Sequence, residues 1–299
     1  MRVLVTGATG YIGSAVVDDL LQAGHEVLGL ARSDANEAAL LAAGAKVYRG
    51  GLEDLDSLRA AAATSDGVIH TAFRNDFSDY AAAGRADVQA VEALGAALEG
   101  SGRPFVVTSV TTVLPAGRQG TEADGPDQSA VSAPRIASEE AALALAGRGV
   151  RASAVRLPPS VHGHGDKHGF VPGLIEIARE KGVSATVGDG LNRWPAVHRL
   201  DAARLFRLAL EKAPAGARLH AVGDEGVSLK DIAEVIARRL DVPVTSVALE
   251  DVNEHFGWLA YFAPLDNPTS ASATQELLGW QPSHPALLAD MEAGHYFEG

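Results

Sequence analysis

The chain has 299 residues, 46% hydrophobic and 21% charged, the balance of an ordinary globular protein and a length that suits one large domain carrying a smaller one. Its formal net charge of −13 argues against nucleic-acid and membrane-surface partners, both of which reward clusters of Lys and Arg. The absence of cysteine excludes disulfides, thiolate metal sites and a cysteine nucleophile.

No apolar run approaches the roughly 20 residues needed to span a bilayer. A strand is entered at once from Met1, leaving no room for a signal peptide, so a cytoplasmic protein is the expectation. Strands are predicted at 3–6, 26–30, 46–49, 67–71, 105–109 and 152–156. Between them, Ala/Leu-rich amphipathic stretches predict helices at 13–23, 37–43, 55–63, 87–99 and 138–148. Such alternation implies an α/β fold, a doubly wound parallel sheet with helices on both faces. After Arg156 the pattern changes. Leu157-Pro158-Pro159-Ser160 and the Gly/His-rich stretch 161–169 predict a loop, followed by a helix at 174–181, a polar turn at 188–192, a helix at 197–210 and a last strand at 218–222. Residues 224–299 read as a small helical region with Pro-bounded loops. The predicted division is 1–157 plus 195–223 for the larger domain, and 158–194 plus 224–299 for a smaller, mainly helical substrate domain.

The first strand runs into Gly7, Gly10 and Gly13, where a helix opens. Gly7 permits the tight turn, Gly10 lets the backbone approach a pyrophosphate, and Gly13 lets the helix pack on the strand. The N–H groups of that helix start, Tyr11 and Ile12 among them, then face the phosphate charge, as in a dinucleotide-binding Rossmann turn. The strand and helix around the glycines are what give the spacing meaning. The second strand ends Ala31-Arg32-Ser33, where an acidic residue would hold the ribose 2′-OH of NAD. Arg32 and Ser33 suit a 2′-phosphate instead, although Asp34 weakens the positive field, so NADP(H) is expected over NAD.

Five segments in order carry a family resemblance: T-G-A-T-G-Y-I-G from Thr6, V-I-H-T-A from Val68, R-L-P-P-S-V-H-G from Arg156, G-D-G-L-N-R-W-P-A-V-H from Gly188, and L-G-W-Q-P from Leu278. Over nearly its whole length the chain resembles the extended or atypical short-chain dehydrogenases/reductases, which include nucleotide-sugar epimerases and dehydratases. The resemblance implies further cofactor contacts at Thr6 and Thr9 in the turn, at Gly51 and Leu52 beside the adenine, at Thr71, Ala72 and Phe73 beside the ribose, and at Pro158, Ser160 and Val161 beside the nicotinamide. It also points to a homodimer, although no apolar stripe in the sequence marks an interface.

Catalysis is where the carry-over fails. The family's Tyr-x-x-x-Lys pair, by register, falls on Arg135 and Glu139. An arginine cannot donate a proton near neutral pH, and a glutamate does not lower a neighbour's pKa as a cation does. Four residues apart on one helix, the two are placed to pair with each other. The family's upstream hydroxyl falls on Val110, flanked by Thr108, Ser109, Thr111 and Thr112. Ser109, Thr111, Arg135 and His162 are therefore the catalytic candidates. His162 takes the Tyr position of the family's V-Y-G, in a glycine-rich loop suited to movement and proton transfer. On a strand, His162, His164, Asp166 and His168 would share one face, but no distant pair completes a metal set and no metal is expected.

Substrate candidates are Arg74 with Asn75 and Asp76, His164, His168, Arg193 and Trp194, together with His198. His255, Trp258, Tyr261 and Phe262 offer either a pocket wall or ordinary core. Three functions remain open: an NADP(H)-dependent oxidoreductase reducing a small or apolar carbonyl, an NADP(H)-binding sensor or scaffold without turnover, and a sugar-nucleotide epimerase or dehydratase.

Overall fold

The computed structural model describes residues 1–74 and 79–298. The first half contains β1 (Arg2–Thr6), α1 (Tyr11–Gln22), β2 (Glu26–Ala31), α2 (Asp34–Ala42), β3 (Lys46–Arg49), α3 (Leu55–Ala63), β4 (Gly67–His70), α4 (Tyr80–Ala96), β5 (Pro104–Val110), α5 (Ile136–Ala144) and β6 (Arg151–Leu157). There follow β7 (Ser160–His162), α6 (Phe170–Lys181), β8 (Ser184–Val187), β9 (Arg193–His198), α7 (Arg199–Lys212), β10 (Ala217–His220), β11 (Asp224–Ser228) and α8 (Leu229–Leu240). The chain ends with β12 (Val244–Val247), α9 (Val252–Phe256), α10 (Ser272–Leu278) and α11 (Leu287–Glu292).

Seven strands form one parallel sheet in the order β10-β6-β5-β4-β1-β2-β3. The alternation of side chains along each strand divides the apolar residues between its two faces. Val3, Val5, Val106 and Val155 point to one face, where α1 and α7 bring Val16, Leu20, Ala202 and Phe206 against them. Leu4, Phe105, Val107 and Ala152 point to the other, under Leu58 of α3, Leu94 of α4 and Ala142 of α5. Both faces are covered, which explains why these strands read as continuous apolar runs. The order reverses between β1 and β4, and a parallel sheet opens a ligand crevice at the carboxyl ends of its strands at such a point.

A second core gathers Ile175 of α6, Leu229 and Ile236 of α8, Phe256 of α9 and Met291 of α11 around Trp194. This region carries strands as well as helices. β9 lies between β11 and β7 in one small sheet, and β12 pairs with β8 in another. The helix expected at 197–210 begins at Arg199, because Val197 and His198 are drawn into β9 beside Val161 and His162. Strands of three to six residues have too few side chains to announce themselves by periodicity, and it is their partners that make them strands. Trp280 returns the C-terminal segment to the larger core, its indole donating to the Asp201 carbonyl at 3.0 Å.

Candidate active site

The glycine turn is built as its residues require. Gly7 has φ +66°, and a Cβ there would sit 2.7 Å from the Ala72 nitrogen, so the turn presses directly on the end of β4. Gly13 is tighter still: a Cβ would lie 2.0 Å from the Gly7 carbonyl oxygen and 2.9 Å from Thr71 Oγ1. Gly10 is exposed and caps α1 with no side chain, and the first turn of α1 carries no acidic residue. An uncapped, uncountered helix N-terminus at the switch point of a parallel sheet fits the pyrophosphate of a dinucleotide. Thr71 Oγ1 donates to the Thr6 carbonyl at 2.7 Å, and Thr6 Oγ1 accepts from Ala72 N at 3.4 Å, which fixes the strand ends against each other. Ile12 packs against the larger core.

At the adenine end, Ser33 caps α2, its hydroxyl accepting from Asn36 N at 3.2 Å. Asn36 in turn donates to Thr9 Oγ1 at 2.7 Å, tying the end of β2 to the glycine turn. Arg32 is exposed and has no partner among the described residues, whereas Asp34 is paired with Arg49. Arg49 is shared with Glu37 at 2.5 Å, so it offsets part of the Asp34 charge beside Arg32. Gly51 and Leu52 follow β3, with open space where a Gly51 Cβ would be. Arg74 is ion-paired to Glu53 at 3.1 Å across this side of the crevice. Asn75 and Asp76 lie outside the described residues.

The structure departs from the expected i,i+4 pairing of Arg135 and Glu139. Glu139 is fully buried and held by Arg156, with Nη2 at 2.6 Å and Nε at 3.0 Å, by Arg218 Nε at 3.0 Å and by Ser109 Oγ at 2.5 Å. Burial alone pushes this carboxyl up, but the hydrogen bonds and charge of Arg156, joined by Ser109 and Arg218, hold it below the usual carboxylate range. Ser109, a catalytic candidate, is therefore engaged inside the protein. Thr111 is likewise fully buried and donates to Asn267 Oδ1 at 2.8 Å.

Arg135 turns the other way. Its Nη2 donates to the Thr108 carbonyl at 2.7 Å and lies 3.9 Å from Asp87 Oδ2, and its guanidinium stacks 3.8 Å above the Phe73 ring. Asp87 completes a buried chain that sequence reasoning did not find: Thr6 Oγ1 to His70 Nδ1 at 2.7 Å, then His70 Nε2 to Asp87 Oδ1 at 3.0 Å. Tyr80, half-buried at the start of α4, sets its ring edge-on to Phe73 at 5.8 Å. Burial raises the Tyr80 phenol, and Arg135 and Ser132 pull it back without cancelling the rise. The spacing of Tyr80, Gly84 and Asp87 on one helical face is the signal that marks this group, but it shows only once α4 is known to begin before Asp87.

Ser160 and His162 are carried on β7 beside β9, and Ser160 Oγ is buried with no partner among the described residues. Pro158 is buried and Val161 half-buried in the same segment. His162 is 1% exposed, its Nδ1 on Asp290 Oδ2 at 2.9 Å and its Nε2 without a protein partner. The loop beyond leaves the strand at Gly163 (φ +133°) and Gly165 (φ +86°), so His164 and His168 are exposed and the four alternating side chains do not share a face. Asp166 is pushed up to about 6 by burial, against the N–H groups of Gly169 and His168. A different trio converges on α7: Asp201 is 3.0 Å from His284 Nδ1, and His284 stacks on His198 at 4.6 Å. Asp201 already accepts from the Ser283 and His284 backbone N–H groups, and His198 Nδ1 accepts from Leu200 N at 3.3 Å. Tyr11, the first residue of α1, donates its hydroxyl to the Gly163 carbonyl at 3.0 Å and lies under Arg199, so this loop is clasped to the glycine turn.

In the smaller region, Arg193 is held by Asp266, with Nε and Nη2 each at 3.0 Å. Trp194 is a core residue rather than a cleft residue: it is fully buried, packs on Phe170 and donates to the Phe262 carbonyl at 3.2 Å. Phe262 is also buried, while Trp258 and Tyr261 keep exposed faces.

Comparison with known proteins adds context to this geometry. The family model described as NAD dependent epimerase/dehydratase family matches residues 3–222. An uncharacterized protein of Schizosaccharomyces pombe is 54% identical, covering 99% of this chain and 100% of its own. A 2-alkyl-3-oxoalkanoate reductase of Stenotrophomonas maltophilia is 31% identical over 73% of this chain and 67% of its own. Among solved structures, a dTDP-glucose 4,6-dehydratase of Streptomyces venezuelae with NAD bound shares the fold at a TM-score of 0.78 and 22% identity, covering 99% of this chain and 96% of the other.

Proposed function

This chain belongs to the NAD dependent epimerase/dehydratase family, and from that membership we propose that it is an NADP(H)-dependent oxidoreductase that reduces a small or apolar carbonyl compound. The observation that carries the reading is the glycine turn, open at Gly10 and wedged by Gly7 and Gly13 against the end of β4, with Arg32 exposed beside it. Bound there, NADPH supplies the hydride. The chain's own residues hold it: the N–H groups of the α1 start at the pyrophosphate, Arg32 and Ser33 toward a 2′-phosphate, Thr71 to Phe73 at the ribose, and Ser160 with an unpaired hydroxyl at the nicotinamide end. The absence of an acidic residue at Arg32 itself, with Asp34 turned to Arg49, supports a phosphate over a bare 2′-OH. The name of the reductase relative supports carbonyl reduction, and the apolar side chain of Phe73 supports a substrate of low polarity.

A panel of ketones and aldehydes, followed at the NADPH absorbance, tests this. Turnover of one chemical class with NADPH and much less with NADH is expected; no turnover with any class overturns the oxidoreductase reading. A second reading has a specific observation behind it. Glu139 is sealed under Arg156 and Arg218, where it offers nothing to a reacting group, which favours a cofactor-binding sensor without turnover. Tight NADPH binding with no activity across the panel is its signature.

A further inference from the structure

We propose that Arg135 binds the carbonyl oxygen of the substrate and stabilises the negative charge that forms there as hydride reaches the carbon. The inference rests on the carbonyl-reduction reading and gives the reacting oxygen its place in the crevice. A parallel sheet binds its ligand at the carboxyl ends of its strands, and the Arg135 guanidinium lies at two of those ends. Its Nη2 donates to the carbonyl of Thr108, near the end of β5, at 2.7 Å. Its planar face stacks at 3.8 Å on Phe73, the third residue beyond β4. Phe73 follows Ala72, whose backbone nitrogen lies 2.7 Å from where a Gly7 Cβ would be. The guanidinium and the glycine turn therefore flank the same strand end.

The cation is fixed but its donors are not used up. Arg135 is 5% exposed, and a guanidinium carries five N–H donors that a protein interior ordinarily satisfies. Thr108 takes a proton of Nη2; Nε is enclosed without a partner among the described residues, and Nη1 donates to none of them. Asp87 Oδ2 is 3.9 Å from Nη2, too far for a hydrogen bond. That carboxylate balances the buried charge and leaves the N–H groups to another oxygen. Its own position is set from the cofactor side: Oδ1 is on His70 Nε2, and His70 Nδ1 is on Thr6 Oγ1, one residue before Gly7. A donor held in place before the reaction, with Phe73 excluding water from its face, stabilises developing charge at no cost in reorganisation.

The step balances. The carbonyl carbon takes the hydride, and the π pair moves to oxygen. The alkoxide is held against the Arg135 N–H groups until a solvent proton reaches it, and Arg135 keeps its own protons throughout. The net reaction consumes one carbonyl, one NADPH and one proton, and yields alcohol and NADP⁺.

Two measurements on the full-length protein test this. Arg135→Gln should lower kcat by about a hundredfold or more, with NADPH affinity by fluorescence within about threefold of wild type. Turnover in R135Q within about threefold of wild type overturns the assignment while leaving the oxidoreductase reading intact; absence of turnover in wild type removes both. The second readout needs no turnover and separates contact with the oxygen from a structural role. Acetophenone labelled with ¹³C at its carbonyl is bound to the protein together with NADP⁺, and its C=O stretch is followed by isotope-edited infrared difference spectroscopy. A hydrogen bond from a cation weakens the C=O bond, so the stretch should lie at lower frequency in wild type than in R135Q. Arg135→Lys keeps a cation facing Asp87 and serves where R135Q does not fold; its stretch should also lie above that of wild type. The same frequency in wild type and variant shows that Arg135 does not touch the carbonyl oxygen and overturns the assignment.

Discussion

Glu139 and Arg156 form a two-point ion pair, Oε1 with Nη2 at 2.6 Å and Oε2 with Nε at 3.0 Å, and neither side chain reaches solvent. The pair joins α5 to β6 beneath the crevice. It also makes a lysine at position 139 costly. A cation at 139 would meet Arg156 and Arg218 together, with Ser109 as its remaining neighbour. Removing one partner of a buried pair leaves an uncompensated charge and costs about 3–5 kcal/mol. Glu139→Ala should therefore lower the melting temperature by several degrees, Glu139→Lys by more, and the double variant R135Y/E139K should lose stability without gaining activity. Circular dichroism melts decide this. A melting temperature for E139K equal to wild type would mean that the pair contributes little to the fold.

The glycines of the turn make a graded prediction. A methyl at Gly13 has nowhere to go, with the Gly7 carbonyl 2.0 Å from its Cβ; one at Gly10 meets that oxygen at 3.2 Å, which a small shift relieves. Gly13→Ala should abolish NADPH binding and reduce stability, because α1 must move off the sheet. Gly10→Ala should fold normally and weaken binding only moderately. Fluorescence titration separates the two, and equal losses would show that the effect is general loosening of the turn.

Arg32 should set the choice between the two dinucleotides. A hydrogen bond to a charged group contributes about 1.5–3 kcal/mol, roughly ten- to a hundredfold in affinity. Arg32→Ala should lose that much for NADPH and almost none for NADH, which has no 2′-phosphate. Arg49→Ala should act through Asp34, freeing its carboxylate beside Arg32 and weakening NADPH to a lesser degree. Equal losses for both cofactors in R32A would leave the 2′-phosphate role without support.

How far the sequence could be read follows from the kind of constraint each residue answers. Gly7, Gly10 and Gly13 were legible because the turn requires the residue type itself, wherever its partners lie. The strands of the large sheet were legible because burial on both faces demands unbroken apolar runs, as in Val3–Val5 and Phe105–Val107. Glu139 was not. Its partner Arg156 lies 17 residues away on another element, and helical spacing favoured Arg135 instead. Tyr80 was hidden by Ala81, Ala82 and Ala83, whose small side chains blur the start of α4. Short strands such as β9 and β11 are made by pairing, which spacing along one segment does not encode.

His198 carries a prediction about acid. Burial, followed by the neighbouring His162 and His284, lowers its pKa to about 4, so the folded protein keeps this ring neutral where an unfolded histidine is protonated. Protons bind the unfolded chain more tightly, and the contribution of this residue is present above pH 6.5 and lost as pH falls toward 4. Asp166 acts with the opposite sign over part of that window: raised to about 6, it favours the folded state at the lower pH. The two separate in a variant. His198 accepts from Leu200 N at the start of α7, and Asn at that position keeps a capping acceptor. His198→Asn should therefore be as stable as wild type near pH 4.5 or more so, and lose its relative advantage as pH rises to 7. Denaturant unfolding at a series of pH values measures the difference. A difference between the two proteins that stays constant from pH 4.5 to 7 would place His198 in a solvated setting, and an NMR titration of its ring should then show a midpoint near 6.5.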